Sequence, residues 1–174
     1  MASLRTLSWI EPILERYERP LLRYAASLCG CPERARDVVQ DTFVRLAKHG
    51  EPEADHLAPW LFTVCRNRAF DLRRKEERLM PMNHEPPETA DTVSHAPDPA
   101  ASLLQKETSE RLEALLEHLS ENQREVIRLR FQCELSYREI AEVTQLGIGN
   151  VGFLIHTGLK KLRQLWPDNL EANS

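Results

Sequence analysis

The sequence is poor in the features that mark membrane proteins, enzymes and metalloproteins. Aromatic residues make up 6% of its 174 residues, and its uncharged runs fall well short of the roughly 18 apolar residues of a membrane span. The N-terminus lacks the apolar stretch of a signal peptide, so a cytoplasmic protein without membrane insertion is expected. There is no nucleophile elbow, no phosphate-cradling glycine loop and no internal repeat, and catalysis by this chain is not expected. Glu107, Glu110, Glu113 and Glu117 make a charged helix face that reads as solvated rather than catalytic. The four cysteines are Cys29, Cys31, Cys65 and Cys133. A zinc site needs two close pairs, or one pair with well-spaced histidines, and His49 and His56 do not complete such a set. The thiols therefore read as structural, with no metal and no cofactor; a redox or zinc role for Cys29 and Cys31 is the minor alternative. Positive charge is not in excess either. The formal net charge is -4, which excludes a chain that binds nucleic acid by bulk basicity.

What is present is a division of charge and composition. Residues 1–80 carry 14 basic and 12 acidic side chains. Residues 81–100 carry 4 acidic and no basic ones, with five prolines (Pro81, Pro86, Pro87, Pro97 and Pro99 lie in this stretch). Such a segment cannot bury a core and reads as an extended linker. Residues 101–174 carry 9 basic and 11 acidic side chains. The expected architecture is all-α: a helical domain over 1–80, an acidic Pro-rich linker over 81–100, and a second helical domain over 101–168.

The second domain contains the most specific local signal, Leu135 to Leu165. Ser136 and Glu139 form a capping box, which predicts a short helix with Ile140, Ala141 and Val143 inward. Gly147 and Gly149 interrupt it. A second helix starts near Ile148 to Asn150 and buries Val151, Leu154, Ile155, Leu159 and Leu162 at helical spacing. Two short helices about a tight turn describe a helix-turn-helix. No acidic residue occurs from Val143 to Pro167, while Lys160, Lys161 and Arg163 are basic, as suits a helix approaching phosphates. Upstream, a helix from about Ala101 to His118 carries Leu103, Leu104, Leu112, Leu115, Leu116 and Leu119. Ser120 and Gln123 then cap a helix burying Val126, Ile127, Leu129 and Phe131.

The first domain reads as three helices. Trp9 to Leu28 carries an apolar stripe, with Pro20 expected to bend or break it. Cys29-Gly30-Cys31-Pro32 separates it from a helix running to about Lys48, with Ala35, Val38, Val39, Thr42, Phe43, Leu46 and Ala47 on one side. A loop over Gly50 to Pro59 precedes a third helix, about Leu57 to Arg78. From Arg66 to Arg78 six basic residues face three acidic ones, beside Asn67 and near Trp60, Phe62 and Phe70. Basic residues interleaved with aromatics suit single-stranded nucleic acid. A solvated face complementing the helix C-terminus is the alternative.

These stretches in this order carry a family resemblance. ARDVVQDTFVRL (Ala35 to Leu46), WLFTVCRNRAFDLRR (Trp60 to Arg74), LEHLSENQREVIRLRF and LSYREIAE together resemble the extracytoplasmic-function (ECF) sigma factors, promoter-specificity subunits of bacterial RNA polymerase. The resemblance runs from about Ile10 to Leu165. It implies that Asp37, Gln40, Asp41, Phe43 and Val44 dock on the clamp of core RNA polymerase. It implies that Arg66, Asn67, Arg68, Arg73 and Arg74 meet the promoter -10 element as it melts, with a flipped base held by the loop Gly50 to Pro59. It places the helix Ile148 to Arg163 in the major groove of the -35 element and implies an anti-sigma factor held between the two domains.

The sequence departs from the family in two places. Gln145 stands where the turn usually has Gly, and Gly147 where a capping Ser is usual. Gly152, Leu154 and Thr157 occupy recognition-helix positions that often hold Arg or Lys. Readout then falls to Asn150, Phe153, His156 and Lys160, with Phe153 meeting thymine methyls. Core packing for Phe153, and partial burial for His156, are the competing readings. A stand-alone helix-turn-helix regulator with an N-terminal sensor domain is the alternative function.

Overall fold

The computed structural model describes residues 8–50, 53–79, 108 and 110–166, and every regular element among them is helical. Seven helices follow in order: α1 (Ile10–Cys29), α2 (Pro32–His49), α3 (Ala54–Leu79), α4 (residues 110–117), α5 (Glu121–Phe131), α6 (Tyr137–Thr144) and α7 (Ile148–Leu165). The linker over 81–100 lies outside the described residues, as do Leu103 and Leu104.

α1 buries Ile10, Leu21, Tyr24 and Ala25. It runs unbroken through Pro20, so of the expected bend or break the break does not occur. Proline removes one backbone hydrogen bond and crowds the carbonyl four residues back. The fully buried Leu21 and Ala25 and the almost fully buried Tyr24, one to five residues on, supply packing that holds the helix through that defect. Gly30 ends α1 in the left-handed conformation (φ 65°), its N–H donating to the Ala26 carbonyl at 2.9 Å. A residue with a Cβ fits this conformation poorly. Pro32 opens α2, where its fixed φ suits the first turn.

α2 buries Ala35, Val38, Val39, Thr42, Phe43 and Leu46 as its spacing predicts, while Ala47 is exposed. α3 starts at Ala54, earlier than expected, and takes Pro59 inside it. The expected loop Gly50 to Pro59 is therefore helical from Ala54 onward. Leu61, Phe62, Cys65 and Ala69 bury the inner face of α3.

The C-terminal helices pack around Val126, Leu129, Leu135, Ile140, Val143, Val151 and Ile155. Leu116 and Leu119 join Ile127, Leu159 and Leu162 in a smaller cluster that seats α4. Arg124 donates to the carbonyls of Leu116, Glu117 and Leu119, satisfying acceptors left open where α4 ends. Phe131 and Leu112, expected inward, are exposed. Phe131 ends α5 at a position its buried face, Val126 and Leu129, does not reach.

The two halves do not stand apart. Their buried side chains form one continuous hydrophobic cluster, from Leu21, Tyr24, Leu61 and Phe62 through to Val126, Leu129, Ile140 and Val143. α3 lies along α6, the first helix of the helix-turn-helix.

Candidate nucleic-acid interface

The helix-turn-helix forms as its local chemistry dictates. The Ser136 hydroxyl accepts from the Glu139 N–H at 3.2 Å, and Glu139 accepts from the Ser136 N–H at 2.7 Å. Ser120 and Gln123 close the same reciprocal box on α5. α6 ends at Gln145, which takes the left-handed conformation (φ 60°, ψ 28°) that glycine would take without strain. Its side-chain amide donates to the Glu142 carbonyl at 2.7 Å, which helps hold the turn. The turn therefore keeps the geometry that the substitution put in question. α7 then begins at Ile148 with Gly147 as its N-cap and no side-chain cap.

α7 turns two faces to two environments. Val151, Ile155 and Gly158 are buried. At Gly158 the backbone passes so close to α5 that a Cβ there would stand 2.7 Å from Ile127 Cδ1. The Thr157 hydroxyl accepts from the Gln123 side-chain amide at 3.0 Å and donates to the Phe153 carbonyl at 2.8 Å. Leu154 packs against the main core. Two of the unusual positions, Leu154 and Thr157, thus serve packing against the rest of the fold. Asn150, Phe153, His156 and Lys160 lie on the outward face and all are exposed. Phe153 is 65% exposed, so the core-packing reading of it does not hold. His156 is likewise not partly buried.

The basic face of α3 is arranged differently from its expectation. Asn67, Arg73 and Arg74 are exposed. Arg66 is engaged: its Nε donates to Glu125 Oε1 at 2.7 Å and its terminal nitrogen to Glu125 Oε2 at 3.2 Å. The Tyr24 hydroxyl donates to the same Glu125 Oε1 at 2.7 Å. Side-chain exposure is 20% for Arg66 and 8% for Glu125, so this forked pair lies largely out of water. Burial opposes the charge on Arg66, but the Glu125 hydrogen bonds and charge outweigh it and raise the Arg66 pKa. Burial, then the Glu125 charge, hold the Tyr24 hydroxyl well above its usual range, so it stays a donor at neutral pH. Arg73 pairs with Glu121 at 3.2 Å and with Glu77 at 3.5 Å. Arg66 and Arg73 flank the Phe70 ring, 4.5 and 5.4 Å from its centroid. Phe62, expected near the nucleic acid, is instead fully buried and meets Tyr24 edge-on at 5.5 Å. Trp60 lies beside His49 at 5.2 Å.

On α2 the outward face carries Asp37, Gln40 and Val44, with Asp41 half-buried beside them. Asp41 holds Arg45 at 2.9 Å and lies 3.4 Å from Arg68, the latter without the alignment of a hydrogen bond. Phe43 does not belong to that face. It is 8% exposed and part of the core, because it follows Val39 by one helical turn. Its ring packs in the core rather than standing with Asp37, Gln40 and Val44 on the outward face.

Glu125 and Tyr24 are the residues that sequence reasoning missed. Glu125 lies four residues before the buried Leu129, on the inner face of α5, and an acid on an apolar stripe is the signal that would have found it. The thiols are quiet by comparison. Burial pushes Cys29 from the usual 9.0 up to about 11 and Cys133 up to about 12, and raises Cys65 further. No group of three or more His, Cys, Asp or Glu that could hold a metal occurs among the described residues. No described helix is long and apolar enough to cross a membrane.

A helix-turn-helix with an open recognition face, joined to a helical region carrying a basic, aromatic-lined helix, defines a DNA-binding protein of two regions. The family profile for sigma-70 region 2 matches residues 13–79, and that for sigma-70 region 4 matches residues 109–162. The chain is 31% identical to the ECF RNA polymerase sigma factor SigL of Mycobacterium tuberculosis, over 87% of this chain and 85% of that one. It is 26% identical to the ECF sigma factor SigM of Bacillus subtilis, over 90% and 94% of the two chains. The chain belongs to the ECF family of RNA polymerase sigma factors. Among solved structures it resembles CnrH in complex with the cytosolic domain of CnrY (TM-score 0.60, 26% identity, 95% of this chain and 89% of that one). It shares its fold with the sigma factor RpoE in complex with the anti-sigma factor NepR from Bartonella quintana (TM-score 0.62, 23% identity, 95% and 99%).

Proposed function

We propose that this chain is a cytoplasmic promoter-specificity subunit, which acts by assembly with core RNA polymerase and performs no bond chemistry itself. The observation that carries this reading is the match of both sigma regions, in family order, to the two halves of one chain. Asp37, Gln40, Asp41 and Val44 form the face offered to the polymerase clamp; Val44 is an exposed apolar side chain at one end of it, as suits a protein contact. Asn67, Arg68, Arg73, Arg74 and, once released from Glu125, Arg66 meet the -10 element. Asn150, Phe153, His156 and Lys160 read the -35 element in the major groove, with few phosphate anchors on that helix and an apolar contact from Phe153. The reading divides the chain into domains at 1–80 and 101–168, and the family matches at 13–79 and 109–162 support it. An anti-sigma factor is the expected regulatory partner, because CnrH and RpoE were each captured with a partner protein. A stand-alone regulator with a sensor domain finds no support in residues 13–79, which match sigma region 2.

The test is binding to core RNA polymerase by wild type and by Val44→Lys. The substitution puts a charge on an exposed position and leaves the fold intact by circular dichroism. A loss of about tenfold or more in affinity, worth about 1.4 kcal/mol, is expected. Failure of the wild-type chain to bind core polymerase contradicts the proposal.

A further inference from the structure

This inference rests on the sigma-factor reading and deepens its -35 site. The part of α7 that carries Asn150 and Phe153 has little local support as a helix. Its N-cap is Gly147, with no side-chain cap on the open N–H groups of the first turn. Gly149 and Gly152 follow, and glycine is a poor helix former. On the inner side Val151 and Ile155 are buried. Tyr137 of α6 covers Gly152, where a Cβ would stand 3.6 Å from Tyr137 Cε2. Such packing fixes how deep the helix lies, but apolar contact is non-directional and leaves the rotation about the helix axis to be set by something else.

One side chain of α5 supplies the direction. The Gln123 amide uses both of its ends. Its Oε1 accepts from the Ser120 N–H at 3.2 Å, completing the cap of α5, and its Nε2 donates to the Thr157 hydroxyl at 3.0 Å. That hydroxyl gives its own hydrogen to the Phe153 carbonyl at 2.8 Å, with the Leu154 carbonyl farther off at 3.3 Å. The Ser120 N–H needs an acceptor and the Thr157 hydroxyl has spent its hydrogen, so the network admits one orientation of the amide. At roughly 100° per residue, Thr157 stands about 40° round the helix from Phe153, between it and Asn150. The clamp thus reaches into the outward face itself. Gly158, the next residue, allows the approach: a Cβ there would lie 3.5 Å from Gln123 Cβ.

We infer that Gln123 and Thr157 are positioning residues for the -35 readout: the Ser120–Gln123–Thr157–Phe153 chain of hydrogen bonds sets the rotation of α7 and so decides which base edges Asn150 and Phe153 meet. Gln123 acts through Thr157, and Thr157 acts through the Phe153 backbone. Hydrogen bonds to base edges weaken steeply with misalignment, so a small rotation of α7 changes which base is preferred.

The experiment is run-off transcription by core RNA polymerase with the full chain, on a promoter library randomised at both elements and barcoded in the transcribed region. Thr157→Val keeps the shape of the side chain and removes both bonds of the hydroxyl. Gln123→Glu keeps an acceptor for the Ser120 N–H and takes away the donor to Thr157. The single hydroxyl hydrogen cannot then serve the carboxylate and the Phe153 carbonyl together. A carboxylate at that place also suits the N-terminus of α5. Each variant is expected to weaken or change the base preference within the -35 element by about fivefold, the worth of one net hydrogen bond, and to leave the -10 preference as in wild type. Thr157→Ser, which returns the hydroxyl, should restore the wild-type profile. A merely structural role would lower initiation on all templates alike, so uniform loss with an unchanged -35 preference overturns the inference. A wild-type profile in the folded variants does the same. Gln123→Glu decides the matter if Thr157→Val fails to fold. A wild type that initiates, with variants that keep its -35 preference, removes the positioning role alone. A wild type that does not initiate removes the sigma reading, and the inference with it.

Discussion

Gln145 holds a left-handed backbone conformation at the turn of the helix-turn-helix, where a side chain costs roughly 1–2 kcal/mol relative to glycine. Gln145→Gly should relieve that strain and lose the amide bond to Glu142, for a net gain of about 0.5–1 kcal/mol in urea unfolding. A loss of stability would mean that the amide bond outweighs the backbone strain. Single residues were legible where one rule governed them. The two capping boxes, the glycine stop at Gly30 and the buried stripe of α7 all follow from local spacing. Residues governed by distant partners were not. Phe43 and Phe62 carry the ring chemistry of a contact surface, yet both fill the core, because helical phase and not residue type decides which way a ring faces. Phe153 shows the converse, a large apolar side chain that faces solvent on the recognition helix. Glu125 could be flagged by its place on an apolar stripe, but its partners Tyr24 and Arg66 lie 101 and 59 residues away in sequence.

At the scale of elements, proline proved a poor guide to where helices stop. α1 passes through Pro20 and α3 takes in Pro59. Propensity is a local cost of a few kcal/mol, and the burial of several large side chains on the same helix exceeds it. The cost remains in the folded protein, so Pro20→Ala should raise stability by about 1–2 kcal/mol, with the regained backbone bond partly offset by the ring's lost packing. Thermal unfolding measures this directly, and an unchanged or lower midpoint would show that the helix is already adapted to the proline. The rest of the element order was legible because each helix has its own stripe and punctuation. The start of α3 was not, because the acidic, proline-bearing sequence before Leu57 reads as a loop, although helix begins at Ala54.

For the whole molecule, composition separates two helical regions, and the family matches fall on both sides of the same acidic stretch. Their docking on one another was not legible. It depends on apolar surfaces of α1, α3, α5 and α6 that each look, in sequence, like the inner face of a separate small domain. The consequence reaches function. Among the described residues the outward face of α7 is open, Asp37, Gln40 and Val44 of α2 are exposed, and Arg66 and Arg73 on the basic face of α3 are engaged from within. A chain built this way should depend on polymerase to bring its DNA-reading surfaces into play. The most direct measurement is run-off transcription with core RNA polymerase, with and without this protein, on a library of randomised promoters. The account predicts initiation only when the protein is present, from a defined set of templates sharing two short elements. No initiation, together with no binding to core polymerase, would contradict it.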